Sequence, residues 1–133
     1  EYIYSSYTEV IESVKYENFF ATLFQEKITA LYELRSIFIL NKCWTMAIFN
    51  PSKDVDYRKN YSNLRYTPYN LPQKIQNKIF KLMKILKLKY GAVDLIVDQN
   101  SNYYFLEINP FGQFGMVSEP CNYQIEKYIA EIL

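Results

Sequence analysis

The stretch GAVDLIVDQNSNYYFLEINPFG, Gly91 to Gly112, gives the clearest indication of the fold of this chain. Its two apolar runs alternate with the period of two that is typical of β-strands, and a polar run separates them, so the stretch predicts an antiparallel hairpin. The second strand ends with Glu107 and Asn109, which the alternation puts on one face together with Tyr103 and Phe105. A strand of this kind is built for burial, so two polar side chains on one face need a reason.

Strand register supplies one candidate reason. If the hairpin turn is centred between Asn100 and Ser101 and its loop has an even number of residues, Asp94 lies directly opposite Glu107. Two carboxylates at that distance repel each other, and a cation would compensate them. Two carboxylates beside the Asn109 amide are the hard oxygen ligands that Mg²⁺ takes, with phosphate oxygens and water filling its other positions. The alternative is that these side chains only line the solvated face of an edge hairpin.

Composition excludes several classes of function. The chain has 133 residues, half of them hydrophobic, which suits one domain with a sizeable core. It has only 3 glycines and no histidine, so glycine-rich phosphate loops, Ser-His-Asp and Cys-His nucleophile pairs and histidine-ligated zinc are excluded. A net charge of +1 provides no overall field that would draw the chain to nucleic acid or to a membrane. No apolar run approaches the length of a membrane span.

Two cysteines, Cys43 and Cys121, lie far apart and are predicted to be reduced structural thiols in the cytoplasm. The chain begins without Met, which is typical of a cut inside a longer protein.

The rest of the chain predicts a mixture of strands and helices. Three strands are expected over residues 21–28, 34–40 and 43–49, with Asn41 and Lys42 as a tight turn. Residues 50–71 show no pattern and predict a loop that is either disordered or functional. Pro72 then begins a helix that Gly91 ends, with lysines on its solvated face and apolar residues inward at Ile75, Ile79, Leu82, Met83 and Leu86. Residues 122–133 predict a closing helix with Ile125, Tyr128, Ile129 and Ile132 inward.

GAVDLIVDQNSNYYFLEINPFGQF resembles the end of the ATP-grasp ligase domain, as in glutathione synthetases, ribosomal-protein glutamate ligases and microviridin-type peptide cyclases. The resemblance implies an α+β fold, the ATP-grasp C-terminal catalytic subdomain, with a largely antiparallel sheet flanked by helices. It also implies ATP and Mg²⁺ as cofactors. The metal role falls on Asp94, Glu107 and Asn109, because the family holds Mg²⁺ with an Asp on one strand and Glu-x-Asn on the next.

Upstream motifs extend this resemblance. LFQEKI is similar to the family's hinge strand and YELR to its acid-x-Arg element, while DYRKN and SNLR resemble the elements that relatives place over the phosphates. The resemblance implies that Arg35 and Arg58 act in catalysis, with Arg35 near the terminal phosphate. It further implies an ATP-binding set made of Gln25, Glu26, Lys27, Ile28, Glu33, Asn63 and Arg65.

More narrowly, the chain resembles the ATP-grasp peptide maturases of grasp-with-spasm systems. This implies a carboxylate ligase that crosslinks or cyclises a ribosomally synthesised precursor peptide through an acyl phosphate, beside a radical-SAM partner with a SPASM domain. Residues 1–20 would end the lid subdomain and residues 21–133 would form the catalytic subdomain, with the preceding domain before Glu1. The oligomeric state is left open, a homodimer included.

Two other functions stay open at the level of sequence. One is a nonenzymatic peptide-binding module or inactive ATP-grasp relic, whose peptide binding would not respond to Mg-ATP. The other is binding of single-stranded nucleic acid by aromatic stacking beside the lysine-rich helix, which the near-neutral charge disfavours.

Overall fold

The computed structural model describes residues 25–51 and 63–133. These residues form one antiparallel sheet and three helices. In chain order the elements are β1 (Tyr32–Ile39), β2 (Lys42–Phe49), β3 (Arg65–Tyr69), α1 (Gln73–Ile85), β4 (Tyr90–Val97), β5 (Tyr103–Asn109), α2 (Gly115–Cys121) and α3 (Ile125–Ile132).

The sheet has the strand order β3-β2-β1-β4-β5, and every neighbouring pair is antiparallel. The hairpin of β4 and β5 therefore forms one side of the sheet. The pairing of β1 with β4 joins it to the other hairpin, which consists of β1 and β2. The predicted α+β fold with a largely antiparallel sheet flanked by helices is confirmed.

Two apolar clusters sandwich the sheet. On one face, Leu34, Phe38, Val93 and Leu95 pack with Ile79 and Met83 of α1. On the other face, Ile37, Met46 and Ala92 pack with α2 and α3, chiefly through Val117, Cys121 and Ile125. Because strand side chains alternate, β1 and β4 must be apolar on both faces, and their near-continuous burial fits this position. Polar side chains within β1 and β4 are therefore exceptions that need partners.

Helix α1 begins where the sequence predicted it. Pro72 is its N-cap residue, and the Pro72 carbonyl accepts hydrogen bonds from the backbone N–H groups of Ile75 and Gln76. Ile79 and Met83 are buried, whereas Leu86, predicted to face inward, is 48% exposed because the helix ends before it. The predicted stop at Gly91 was wrong: Gly91 lies within β4, and Lys87 makes the turn with a positive φ.

Other sequence predictions also need correction. The turn between β1 and β2 consists of Leu40 and Asn41, since Ile39 pairs with Lys42. Residues 25–28 are not a strand, and residues 21–24 lie outside the described part. The expected loop over residues 50–71 contains β3, which carries Pro68 and is the outermost strand on that side among the described residues. Pro lacks an N–H donor, so an edge strand is one of the few places in a sheet where it fits.

Helix α2 was not predicted, because Pro120 interrupts its sequence pattern. Helix α3 is shorter than predicted: Ile125 is buried, but Ile132 is 40% exposed. Within residues 25–51 and 63–133, no helix combines the length and the hydropathy that a membrane crossing requires.

Candidate functional site

The centre of the site is the pairing of Asp94 with Glu107 across β4 and β5. The sequence predicted this pairing for a loop with an even number of residues, but the loop between β4 and β5 has an odd number. Asp98 and Asn102 flank the loop. Between the loop and the bulge, Val97 pairs with Tyr103 and Leu95 pairs with Phe105. A β-bulge between Asp94 and Leu95 of β4 then leaves Leu106 as the extra residue of β5 and restores the pairing of Asp94 with Glu107.

The bulge also changes which side chains share a face. Tyr103 packs against the α1 cluster, and Phe105 lines a groove beside α1 together with Leu95. The prediction that Tyr103 and Phe105 share a face with Glu107 and Asn109 is therefore wrong. Glu107 instead shares a face with Asp94 on the α2 and α3 side of the sheet, and apolar β5 residues are diverted to the opposite side.

The odd loop has a local cause in Asp98. One carboxylate oxygen, Oδ1, accepts hydrogen bonds from the backbone N–H of Asn100 at 2.9 Å and of Asn102 at 2.8 Å. The other, Oδ2, accepts from the Asn102 side-chain amide at 3.0 Å and from the Tyr104 hydroxyl at 3.1 Å. Ser101 takes a left-handed conformation with φ of 61°. These bonds hold the pKa of Asp98 below its ordinary value, so this carboxylate is structural.

A third charged side chain lies in the same row. Arg35 of β1 pairs in register with Asp94, so Arg35, Asp94 and Glu107 stand side by side on three neighbouring strands. Arg35 Nη1 donates to Asp94 Oδ2 at 2.5 Å, and the two side chains are 10% and 23% exposed. Burial raises the pKa of Asp94 and the neighbouring Glu107 adds to this, while the Arg35 guanidinium opposes it. Arg35 thus offsets the carboxylate that burial disfavours.

The guanidinium of Arg35 has a buried donor that the ion pair with Asp94 does not use. Among the described residues, Arg35 Nε is a buried side-chain nitrogen without a hydrogen-bond partner. A buried N–H that lacks a partner costs free energy, and such groups in proteins call for a ligand or water. A guanidinium with an unused donor beside two carboxylates is chemically suited to an anionic oxygen, such as one of a phosphate group.

Asn109 lies one step further along the same face. It pairs with Ala92, two residues before Asp94 on β4. Its side-chain Oδ1 accepts a hydrogen bond from the Phe111 N–H at 2.8 Å, and its carbonyl accepts from the Gly112 N–H at 3.3 Å. Pro110 favours such a turn because its φ is already fixed. The turn therefore holds the Asn109 amide in place, and an amide oxygen that accepts one hydrogen bond has a second lone pair with which it can bind a cation.

Tyr90 is a residue of this site that the sequence did not single out. It begins β4 on the same face as Ala92 and Asp94, and its hydroxyl donates a hydrogen bond to the Gly112 carbonyl. Burial raises the pKa of Tyr90, and the nearby Arg35 guanidinium acts in the opposite direction. A tyrosine at the start of a strand carries no sequence signal for this contact, because Gly112 is distant in sequence.

The other predicted site residues lie at different distances from this row. Glu33 is half-buried on the same face of β1 as Arg35, one alternation away. Gln25, Glu26 and Lys27 are exposed and Ile28 is half-buried. The hydrogen bond with Asp98 raises the pKa of Tyr104 on β5, and the Glu26 carboxylate adds to this. This segment therefore passes the end of the sheet where β5 begins.

Of the predicted loop residues, Arg65 lies away from the row. Asn63 and Arg65 are exposed, and β2 and β1 separate β3, which carries Arg65, from β4. Arg65 pairs with Phe49, which lies on the other face from Met46 and Arg35. Arg58 lies outside the described residues, so its role stays a prediction.

The donor set fits Mg²⁺. Asp94 and Glu107 supply carboxylate oxygens from directly opposed positions, and Asn109 supplies an amide oxygen on the same face. Across the described ranges there is no cluster of three or more His, Cys, Asp or Glu side chains suited to a metal. A site with two carboxylates and an amide is incomplete for zinc, but it is typical of Mg²⁺, which keeps water and phosphate oxygens as ligands.

Neither thiol is suited to nucleophilic chemistry. Burial raises the pKa of Cys43 to about 11, and its hydrogen bond with Thr45 only partly offsets this. Burial also raises the pKa of Cys121, which packs against the α2 and α3 face of the sheet. Both are free thiols, as the sequence predicted. Since the thiolate is the reactive form, both are structural.

The chain is similar to a known protein family and to several solved structures. The sequence profile of the RimK-like ATP-grasp domain matches residues 5–133. No curated protein matches the chain.

Several solved structures are similar to it. Macrocyclase MdnC from Microcystis aeruginosa MRC, bound with precursor peptide MdnA, is 37% identical, with a TM-score of 0.69 over 80% of this chain and 34% of MdnC. A RiPP-associated ATP-grasp ligase from Chryseobacterium gregarium, in complex with ADP and a leader and core peptide, is 32% identical, with a TM-score of 0.74 over 82% of this chain and 34% of that protein.

Macrocyclase MdnB from Microcystis aeruginosa MRC is 27% identical, with a TM-score of 0.67 over 83% of this chain and 40% of MdnB. The chain thus spans about a third of the length of the first two of these structures.

Proposed function

Because this chain belongs to the RimK-like ATP-grasp family, we propose that it forms the catalytic C-terminal subdomain of an ATP- and Mg²⁺-dependent carboxylate ligase acting on a ribosomally synthesised precursor peptide. The observation that carries the proposal is the row of Arg35, Asp94 and Glu107 on three neighbouring strands, with Asn109 beside it. This row combines two metal-binding carboxylates with a cation that has an unused donor, and it suits a polyphosphate bound through Mg²⁺.

Asp94, Glu107 and Asn109 would hold Mg²⁺. When bound, Mg²⁺ would supply positive charge that offsets the negative charge developing during phosphoryl transfer. The protein's own task is to keep the oxygens of these three side chains in place. The ladder between β4 and β5 fixes Asp94 against Glu107, and the turn after β5 fixes the Asn109 amide.

Arg35 would serve in two ways. Its Nη1 holds the Asp94 carboxylate in one orientation, and its positive charge lies in the row that would face the phosphates. The unpartnered Nε is a further donor for a phosphate oxygen. Arg58 is proposed as a second cation near the acyl phosphate, on the basis of its motif alone.

The proposed reaction has two steps and needs no protein nucleophile, which agrees with the absence of histidine and with two unreactive thiols. First, a carboxylate oxygen of the peptide attacks the γ-phosphorus of ATP, the bond to the bridging oxygen breaks, and ADP leaves. An acyl phosphate results. Second, an amine or hydroxyl of the peptide attacks the acyl carbon, loses its proton, and phosphate leaves. The product is an amide or an ester.

We assign the binding of the adenine and the ribose to residues at the beginning of the described part of the chain. Residues Gln25 to Ile28 would pass beside the adenine, with backbone groups rather than the Lys27 ammonium providing recognition. Glu33 would bind the ribose, and Asn63 and Arg65 would approach ATP from the loop. Residues 1–20 are proposed as the end of the lid and residues 21–133 as the catalytic subdomain.

A peptide substrate is proposed because the similar proteins were solved with peptides. MdnC is bound with a precursor peptide, and the Chryseobacterium ligase is in complex with ADP and a leader and core peptide. Both are more than 30% identical to this chain. A radical-SAM enzyme with a SPASM domain is the proposed partner in the same system, on the basis of the tail motif.

The test uses the protein that contains this chain, ATP, Mg²⁺ and the precursor peptide, with hydroxylamine added to trap the acyl phosphate. We expect ADP release and a peptide hydroxamate from the wild type, and neither from Asp94→Asn or Glu107→Gln. Glu131→Gln, which removes an exposed carboxylate on α3, serves as the control and should match the wild type. Peptide binding without ADP release in all four proteins would instead indicate a nonenzymatic peptide-binding module.

A further inference from the structure

The turn that ends β5 is held from β4 as well as from within. Asn109, Pro110, Phe111 and Gly112 form this turn, which we call the exit turn. Inside it, Asn109 accepts hydrogen bonds from the N–H groups of Phe111 and Gly112. Phe111 is 92% exposed, so side-chain packing does little to hold the turn. Its position depends on hydrogen bonds and on Gly112.

Gly112 is the buried anchor of the exit turn. A Cβ atom built on it would overlap the Ala92 side chain and would lie 2.9 Å from Arg35 Nη2. The absence of a side chain therefore lets the turn lie directly against Ala92, the register partner of Asn109. The same close approach puts the turn backbone against the guanidinium that binds Asp94.

The Tyr90 hydroxyl holds Gly112 in place through a hydrogen bond. It donates to the Gly112 carbonyl from the first residue of β4, the strand that carries Asp94 four positions later. Tyr90 is half-buried and packs with the α2 and α3 cluster, so its hydroxyl has little freedom to move. Because Tyr90 and Asp94 belong to one rigid strand, the hydrogen bond ties the end of β5 to the strand that supplies the opposite carboxylate.

We propose that Tyr90 is a positioning residue of the metal site, which acts through the Gly112 carbonyl to hold the exit turn and with it the Asn109 amide oxygen against the carboxylates of Asp94 and Glu107. The inference rests on the proposed Mg²⁺ site. Tyr90 would not bind the metal itself and would act only through its hydrogen bond to Gly112. Outer groups that orient metal ligands commonly change metal affinity by about 10- to 100-fold when they are removed.

The experiment measures Mn²⁺ binding in the presence of ADP by electron paramagnetic resonance, on the protein that contains this chain. Tyr90→Phe keeps the ring and its packing and removes only the hydroxyl, and circular dichroism checks that the variant is folded. We expect its Mn²⁺ dissociation constant to rise about tenfold. In an Asn109→Ala background, where the positioned ligand is missing, Tyr90→Phe should cause no further loss.

Tyr123→Phe is the matched control. The Tyr123 hydroxyl donates to the Thr45 carbonyl of β2 at 2.6 Å and accepts from the Tyr69 N–H of β3 at 3.2 Å, so this variant also loses tyrosine-to-backbone bonds, but away from the row. We expect its Mn²⁺ affinity to equal that of the wild type. An unchanged affinity in Tyr90→Phe, or an equal loss with and without Asn109, would overturn the positioning role alone. A wild type that binds no Mn²⁺ with ADP would overturn the proposed metal site as well.

Discussion

Asp94 and Glu107 face each other on neighbouring strands because two irregularities of their hairpin compensate each other. The loop between β4 and β5 is odd, which by itself would put Glu107 out of register with Asp94. The extra residue Leu106 shifts the pairing back. The same bulge separates the apolar β5 residues beside α1 from the polar ones beside α2. The loop and the bulge together therefore set the register of the strand face that carries the proposed metal ligands.

Deletion variants of β5 test this relationship. Removing Leu106 should regularise the ladder while Asp94 still faces Glu107 and Asn109 still pairs with Ala92, so Mn²⁺ binding with ADP should persist. Removing Ile108 should move Asn109 opposite Val93, onto the α1 face, and weaken Mn²⁺ binding. Loss of binding in the Leu106 deletion, together with native circular dichroism, would show that the bulge does more than set the register.

The ion pair between Arg35 and Asp94 should stabilise the sheet only as a pair. Arg35→Met leaves a buried carboxylate without its cation, which we expect to lower the free energy of opening of β4 by about 3 kcal/mol. Arg35→Met combined with Asp94→Leu should recover most of this loss, because both charges are then gone. Native-state amide exchange of β4 measures the effect within a larger protein. Equal losses in the single and the double variant would contradict this account.

Gly112 and Gly115 offer a matched pair of substitutions. Gly112→Ala places a methyl group against Ala92 and Arg35 Nη2, so we expect a loss of stability of about 1 to 3 kcal/mol. Gly115→Ala meets nothing closer than a Glu119 oxygen at 3.8 Å and begins α2, so it should cause no loss. Thermal unfolding of both variants compares them directly, and the prediction fails if Gly112→Ala is as stable as Gly115→Ala.

Cys43 provides a test of the sheet interior. Its pKa is raised to about 11 by burial, so the folded protein holds its proton more tightly than the unfolded chain. The contribution of the protonated Cys43 thiol to the stability of the fold is therefore complete below the ordinary thiol pKa near 9, and it is lost as pH rises through about 11. Alkylation by iodoacetamide, located on Cys43 by mass spectrometry, should show a midpoint near pH 11 in the native protein and near 9 in urea. A native midpoint near 9 would mean that the thiol is not buried as described.

The parts of the fold that the sequence predicted are those with strong local periodicity. Both hairpins and α1 have apolar residues at regular spacing, and the position of Pro72 marked where α1 begins. Strand β3 was missed because it is short and carries Pro68 at the edge of the sheet. Helix α2 was missed because Pro120 lies inside it. In both, packing against the rest of the protein overrides a weak local preference.

The site was predicted in part for the same reason. Alternation alone put Glu107 and Asn109 on one face, and hairpin pairing added Asp94. Arg35 beside Asp94 depends on the pairing of β1 with β4, which no local pattern specifies. A charged residue in each of two buried strands was the available signal, since each needs a partner. Tyr90 had no signal, because its partner is a backbone carbonyl.

The intact mass of the precursor peptide reports most directly on the proposed ligase activity. The peptide is co-expressed with the wild-type protein that contains this chain, or with its Glu107→Gln variant, and its intact mass is measured. We expect the peptide to lose the mass of one water molecule for each crosslink that the wild type forms, and to remain unchanged with Glu107→Gln. A peptide that loses water equally with both proteins would contradict the assignment of Glu107, with Asp94 and Arg35, to the chemistry of the ligase.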